Sequence, residues 1–192
     1  TQVSKKVSMF YFRPLPKISE LRFYFRKNSF HHDGESQIQI KRFALVRDGM
    51  RFVLKYLYNQ NGLKLKIAIP TIFCWEITSS IKLNYAEIEW YDLDSELQFD
   101  IEQIENKKID VLLVCDLFGI PNDLDKVRRW CKKKKIVLFV DHSHCLKSSF
   151  NPGPNEFLFQ SLYKHYPISK GAYLTHFINK LYKDRVFDVI RV

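Results

Sequence analysis

Two short apolar runs, VLLVC at 111–115 and IVLFV at 136–140, constrain the fold more than any other feature of this sequence. Neither run alternates with polar residues, so each indicates a strand that is covered on both faces. Between them, PNDLDKVRRWCKKKK starts with a proline and capping residues and then carries apolar residues at helical spacing. Strand, helix and strand in this order predict a parallel pair that is joined by a crossover helix.

The same alternation of helix and strand extends from about residue 43 to residue 176. A helix is predicted over RDGMRFVLKYLYNQNG, with Asp48 as a cap and Asn61-Gly62 at its end. The remaining helices and strands are predicted in the segments LKIAIP, CWEITSSIKLN, AEIEWYDLD, LQFDIEQIE, EFLFQSLYK and GAYLTHF. This order predicts an α/β fold with three layers, in which a mostly parallel sheet carries helices on both faces. We assign residues 1–41 to an aromatic and basic N-terminal arm and residues 42–192 to the α/β domain.

Charge and cysteine content narrow the class of protein. Residues 1–66 hold 14 Lys and Arg against 4 Asp and Glu, and this excess equals the net charge of +10 of the whole chain. Such a field attracts anions, which include nucleic acid and phosphorylated small molecules. The four cysteines form no CxxC pair, which favours free thiols in a reducing cytoplasm. No apolar run is long enough to cross a membrane.

Polar residues follow the predicted buried strands at the edge where ligands bind in open α/β sheets. Asp141 ends one apolar strand, and Lys164 follows the next one. A carboxylate and a lysine that reach one crevice suit pyridoxal 5′-phosphate (PLP), which needs a lysine for its aldehyde and an acid for its ring nitrogen. The start of the helix at RDGM offers backbone N–H groups for the phosphate.

Several stretches between about residues 42 and 176 resemble the DegT-type family of sugar aminotransferases. They include RFALVRDGMRFVLKYL, IAIPTIFCWEIT and IEWYDLDSELQFDIEQIE. The most specific stretches are VLLVCDLFGIPNDLDKVRRWCKKKKIVLFVDHSH and FLFQSLYKHYPISKGAYL. The resemblance implies the large domain of a fold-type-I, PLP-dependent enzyme. Such an enzyme transfers an amino group from an amino acid to a keto sugar, usually a nucleotide-linked one.

The resemblance also implies roles for single residues. Asp141 matches the acid at the ring nitrogen, and Lys164 matches the lysine that binds the cofactor covalently; these two are the candidate catalytic residues. The other candidate cofactor-binding residues match positions around the ring hydroxyl, the ring face and the phosphate: His144, Cys74, Ser161, Gly49 and Met50. The resemblance further implies a homodimer with sites at its interface, to which the arm would contribute.

Three departures from the family pattern support an alternative. Asp48 stands where an uncharged residue is usual, and Lys170-Gly171 replaces two glycines. We also expect this chain to lack the smaller C-terminal domain of the family. The alternative is therefore a non-catalytic relic of the fold, or a basic α/β domain that binds an anionic partner such as nucleic acid.

The stretch DHSHC at 141–145 raises the question of a metal site. Alternate residues of an extended stretch point to opposite faces of a sheet, so only some of these side chains can converge. We therefore expect no metal site here, and we assign structural roles to His142 and Cys145 and a turn-forming role to Asp116.

Overall fold

The computed structural model describes residues 38–82 and 85–177. These residues form seven strands, three α-helices and two short 3₁₀ segments, the latter at Ile101–Gln103 and Leu117–Gly119. In chain order the elements are β1 (Ile38–Phe43), α1 (Val46–Asn61), β2 (Leu65–Pro70), α2 (Trp75–Lys82), β3 (Ala86–Tyr91), β4 (Val111–Cys115), α3 (Leu124–Lys134), β5 (Val137–Asp141), β6 (Glu156–Ser161) and β7 (Ala172–Phe177).

All seven strands belong to one sheet with the order β1-β7-β6-β5-β4-β2-β3. The pairs β2–β3, β2–β4, β4–β5 and β5–β6 are parallel, whereas β7 runs antiparallel to both β6 and β1. The predicted mostly parallel α/β sheet is therefore confirmed. Residues 38–41 of the predicted arm pair in this sheet, and the rest of that arm lies outside the described residues, as do residues 178–192.

The sheet separates two apolar layers. Along β4, Val111 and Leu113 pack in the layer that contains α1 and α2, whereas Leu112 and Val114 pack in the layer that contains α3. Residues of β5 alternate in the same way, with Phe139 on the α1/α2 side and its neighbours on the α3 side. This alternation decides which polar residues at the end of β5 can meet.

The ends of α1 follow from its sequence. The Asp48 carboxylate accepts a hydrogen bond from the Leu45 backbone N–H at 3.1 Å, which satisfies a donor just before the first turn. At the other end, Gly62 takes the left-handed conformation with φ of 68°, and its N–H donates to the Tyr58 carbonyl at 2.7 Å. Asp48 therefore has a structural role in holding the start of α1.

The predicted crossover helix between β4 and β5 is present as α3. Its cap is Asp123, whose side chain accepts from the Lys126 N–H at 3.0 Å, and Lys132, Lys133 and Lys134 occupy the last turn. Positive side chains at this end interact favourably with the helix dipole. Within the described residues, none of the helices has the length and apolar character that a membrane span requires.

Candidate active site

Asp141 is the last residue of β5 and is 2% exposed. Its Oδ1 accepts a hydrogen bond from the Ser143 backbone N–H at 2.8 Å. Burial raises the pKa of Asp141 above its ordinary value; hydrogen bonding from Ser143, and the charges that Lys164 and His144 carry when protonated, offset only part of this. The site therefore contains a carboxylate whose ionised form would be stabilised by a cationic group.

Lys164 lies in the turn that follows β6, three residues beyond its last residue, Ser161. Its Nζ is 2.8 Å from Nε2 of His144, which comes from the loop after β5. Lys164 and Asp141 line the same hollow, although the lysine is exposed and the aspartate is buried. The structure thus brings together the two predicted catalytic residues at one edge of the sheet.

His144 is bonded through both ring nitrogens. The Phe118 backbone N–H donates to Nδ1 at 3.0 Å, so this nitrogen carries no proton. Burial lowers the pKa of His144, as does the charge of Lys164 when protonated, which favours the neutral ring. With Nδ1 accepting from Phe118, Nε2 is the ring nitrogen that faces Lys164 Nζ. The imidazole accordingly positions the Lys164 amine in the hollow.

Phe118 covers this pair. Its ring stacks on the His144 imidazole with centroids 5.7 Å apart and an interplanar angle of 20°. The Phe118 side chain is 74% exposed, and its backbone has φ of 54°, which is uncommon for a residue other than glycine. The sequence offered no signal for this contact beyond an aromatic residue in the DLFG turn.

The hollow is open to solvent, and its cavity volume of about 90 Å³ is below the usual range of small-molecule sites. Its lining comes from the start of α1, the loop into α2, the ends of β4, β5 and β6, and the turns after them. The lining residues that the sequence singled out are Cys74, Asp141, His144, Ser161 and Lys164.

Ser161, the last residue of β6, supplies a second polar group to this hollow. It is 2% exposed, and its Oγ finds no hydrogen-bond partner in the described part of the chain. Buried hydroxyl groups nearly always have a partner, so one that lacks it at a pocket wall suits a ligand oxygen. Cys74, which precedes α2, also lines the hollow and is exposed.

Gly49 and Met50 are placed differently from the other predicted residues. Met50 is fully buried in the core, and a Cβ on Gly49 would lie 3.3 Å from the Phe43 ring and 3.5 Å from Phe159. Neither residue lines the hollow, to which α1 contributes Val46 and Arg47 instead. A contact of Gly49 or Met50 with the cofactor phosphate stays a prediction.

Arg47 is a basic residue of the lining that is not among the candidate site residues given above. It forms an ion pair with Glu76, which lies in the first turn of α2 and also lines the hollow. The pair is partly exposed and sits beside the start of α1. It supplies a guanidinium near the helix end at which a phosphate is predicted to bind.

A second polar cluster occupies the other side of the same sheet edge. Asp116 and His142 are 4% and 5% exposed, and His142 Nε2 lies 3.0 Å from Asp116 Oδ2. Burial acts to raise the pKa of Asp116, but the contact with His142 and hydrogen bonds from Asn122 bring it below its ordinary value. Asp116 therefore does more than form a turn, since it holds together the ends of two strands.

No protein-family model matches the chain, and no curated protein matches it in sequence. Solved structures do match it in fold. PseC from Helicobacter pylori, an aminotransferase involved in the biosynthesis of pseudoaminic acid, matches with a TM-score of 0.59 and 16% identity over 72% of this chain. The E. coli GDP-4-keto-6-deoxy-D-mannose-3-dehydratase, solved with bound hydrated PLP, matches with a TM-score of 0.61 and 17% identity over 74% of this chain.

The histidinol-phosphate aminotransferase from Clostridium acetobutylicum also matches, with a TM-score of 0.58 and 17% identity over 73% of this chain. The chain has the fold of the PLP-dependent transferases. It spans 40% of the length of PseC and of the dehydratase, and 46% of the length of the third structure. The PLP-transferase fold that the resemblance implied is thus confirmed for the described residues.

Proposed function

We propose that this chain is the cofactor-binding part of a PLP-dependent aminotransferase that moves an amino group from an amino acid to a keto sugar. The observation that carries the proposal is that Asp141 and Lys164 line one hollow, at the carboxyl ends of neighbouring parallel strands. The donor carbon is oxidised to a carbonyl while the sugar carbonyl carbon is reduced to an amine, so the exchange needs no outside oxidant.

The residues of the hollow fit PLP. Asp141 is a buried carboxylate with a raised pKa, so a cation beside it would stabilise its ionised form. A protonated ring nitrogen is such a cation. Ser161 Oγ lacks a partner within the described residues and can donate to a phosphate oxygen. Lys164 Nζ lies in the hollow, 2.8 Å from His144 Nε2, where it would meet the cofactor aldehyde.

PLP, when bound, supplies an electron sink for the charge that develops at the substrate carbon. The side chains of the hollow supply the proton transfers and the positioning. With PLP bound, Asp141 would hold a proton on the ring nitrogen, and Lys164 Nζ would take a proton from the substrate carbon and return it. His144 fixes the position of Nζ, while Phe118 fixes His144 through both its backbone N–H and its ring.

The assignment to sugar substrates rests on different observations from the assignment to PLP chemistry. It draws on the resemblance in sequence and on the fold shared with PseC and the dehydratase. Arg47, at the mouth of the hollow, adds a charge suited to a phosphate group of cofactor or substrate. A homodimer stays a prediction; exposed Ile72 and Trp75 lie near the hollow, where apolar surface suits a subunit contact.

Borohydride trapping tests the proposal. The purified chain should retain PLP, show its absorbance, and carry PLP fixed to Lys164 after reduction, as read by peptide mass spectrometry. Lys164→Ala should abolish fixation, whereas Lys147→Ala, which removes an exposed lysine away from the hollow, should leave it unchanged. Folded protein that takes up no PLP would overturn the proposal and favour the non-catalytic relic of the fold.

A further inference from the structure

A cluster of three potential metal ligands lies outside the PLP hollow. Asp116 Oδ2, His142 Nε2 and Cys145 Sγ all lie within 4.8 Å of one another. They come from the residue after β4, the residue after β5 and the loop beyond it, so the fold brings together positions that are far apart in the chain. Neither the comparisons nor the transferase chemistry accounts for this grouping.

The distances suit a small divalent ion. His142 Nε2 and Cys145 Sγ lie 3.0 Å and 4.0 Å from Asp116 Oδ2. Tetrahedral zinc with bonds of about 2.0 Å to nitrogen and oxygen and about 2.3 Å to sulfur places its ligands roughly 3.3–3.6 Å apart. These two distances need shifts of about 0.3–0.5 Å, and the third separation, which is within 4.8 Å, needs up to roughly 1.3 Å. Cys145 is in a partly exposed loop, which can move by this amount.

The surroundings leave the three ligand atoms facing one another. His142 Nε2 is buried and, despite its short distance to Asp116, makes no contact with hydrogen-bond geometry in the described residues. Asn122 occupies the other carboxylate oxygen, Oδ1, through its backbone N–H at 3.1 Å and its side-chain amide at 2.8 Å. Asp116 Oδ2 thus faces His142 Nε2 at 3.0 Å and accepts a hydrogen bond from the Cys145 thiol at 4.0 Å, and an ion bound here would replace the thiol proton.

Outer contacts orient the histidine as metal sites require. His142 Nδ1 lies 2.7 Å from Ser148 Oγ, and a hydroxyl can either donate to this nitrogen or accept from it. With Ser148 as acceptor, the ring proton sits on Nδ1 and Nε2 is free to bind a metal. Such second contacts fix the tautomer and orientation of metal-binding histidines.

We propose that Asp116, His142 and Cys145 form a site for a divalent transition metal ion of the Zn²⁺ class, with water in the fourth position. The mixed oxygen, nitrogen and sulfur donors favour zinc over magnesium or calcium, which take oxygen ligands. The ion would tie the loop that contains His144 to the end of β4. The prediction of no metal site was based on the stretch DHSHC alone. It left out Asp116, which lies 25 residues before Asp141 in the chain.

Cobalt binding to the full chain tests this proposal, with PLP left out and contaminating metal removed by chelator. We expect about one Co²⁺ per chain, a thiolate-to-cobalt absorption band, and displacement of the ion by Zn²⁺. Cys145→Ser should remove the band, and both Cys145→Ser and His142→Gln should weaken binding by at least about tenfold, while Ser148→Ala should weaken it by about tenfold.

Two matched controls separate this site from the hollow. Cys74→Ser removes the exposed thiol and His144→Gln removes the histidine beside Lys164, and neither should change Co²⁺ affinity or the absorption band. The proposal is overturned if the wild-type chain gives no thiolate band, or if the band survives in Cys145→Ser. Should His142→Gln fail to fold, as judged by circular dichroism, the Cys145→Ser comparison decides alone, because Cys145 is only partly buried.

Discussion

Asp116 and Asp141 are buried carboxylates at the ends of adjacent parallel strands, yet their surroundings differ. Asp116 receives two hydrogen bonds from Asn122 and contacts His142, and its pKa is lowered. Asp141 receives one backbone hydrogen bond from Ser143, and burial raises its pKa. The protein therefore stabilises the charge of one carboxylate with its own donors and leaves the other only partly stabilised.

This difference separates a carboxylate that the donors of the fold satisfy from one that lacks a full set of partners. A carboxylate satisfied from within the fold contributes to stability, because donors and acceptor are matched in the native state. A carboxylate that is buried without a compensating charge lowers stability and is a mark of functional sites. Asp141 belongs to the second kind, on the face that contains the hollow, whereas Asp116 belongs to the first.

The largest expected difference between the two carboxylates is in PLP binding. Asp141→Asn removes the charge that pairs with the protonated ring nitrogen, and we expect a loss of about 2 kcal/mol in binding, roughly 30-fold in Kd. Asp116→Asn should change the Kd by less than about threefold, since Asp116 does not line the hollow. Absorbance titration with PLP measures both. Equal losses in the two variants would contradict the separation of roles.

Stability in the absence of ligands should show the reverse order. Asp116→Asn weakens the charge-assisted contacts with Asn122 and His142, and we expect the free energy of unfolding to fall by about 1 kcal/mol. Asp141→Asn removes a buried charge that lacks full compensation, so stability should be unchanged or raised. Urea unfolding of chelator-treated, PLP-free protein at neutral pH provides the measurement. A clear loss of stability in Asp141→Asn would remove the basis of the comparison.

The pH dependence of stability should distinguish the same two groups by the sign of a slope. Asp116 has a lowered pKa in the folded state, so its contribution is complete above the ordinary aspartate pKa of about 3.9 and is lost as pH falls below it. Asp141 has a raised pKa, so the folded state holds its proton more tightly, and stability falls as pH rises above about 3.9 towards the folded-state pKa.

Each Asn variant isolates one of these contributions. The free energy of unfolding of the wild type minus that of Asp116→Asn should rise with pH below about 3.9, and the same difference for Asp141→Asn should fall with pH above it. Urea midpoints across this range, in chelator, give both curves. Two slopes of the same sign would show that one of the two burial arguments is wrong.

The fold was predictable from the sequence because strands that are covered on both faces appear as continuous apolar runs. VLLVC and IVLFV appear as β4 and β5, and the predicted crossover helix appears as α3 between them. β1 gave no such pattern, since it lies at a sheet edge and IQIKRF mixes polar and apolar residues. Its place in the sheet depends on antiparallel pairing with β7, which lies more than 130 residues later.

The site was predictable only in part. Strand ends indicated Asp141 and Lys164, because carboxyl ends of parallel strands share an edge. The contacts of Asp116 with His142 and Cys145 depend on the paths of two loops. The residue pattern within one stretch of sequence does not indicate these paths. The stacking of Phe118 on His144 likewise depends on a positive φ that the sequence does not specify for a phenylalanine.

Gly49 offers the smallest effect and separates a packing role from the predicted role in phosphate binding. Gly49→Ala places a Cβ 3.3 Å from the Phe43 ring, which is only half-buried and can shift. The gain in helix propensity should outweigh this contact and raise the free energy of unfolding by about 0.5 kcal/mol. Because Gly49 does not line the hollow, the Kd for PLP should stay within about twofold of wild type. A larger loss of PLP affinity without a loss of stability would instead support the phosphate contact, because only an approach of the ligand to the Gly49 backbone would separate the two measurements.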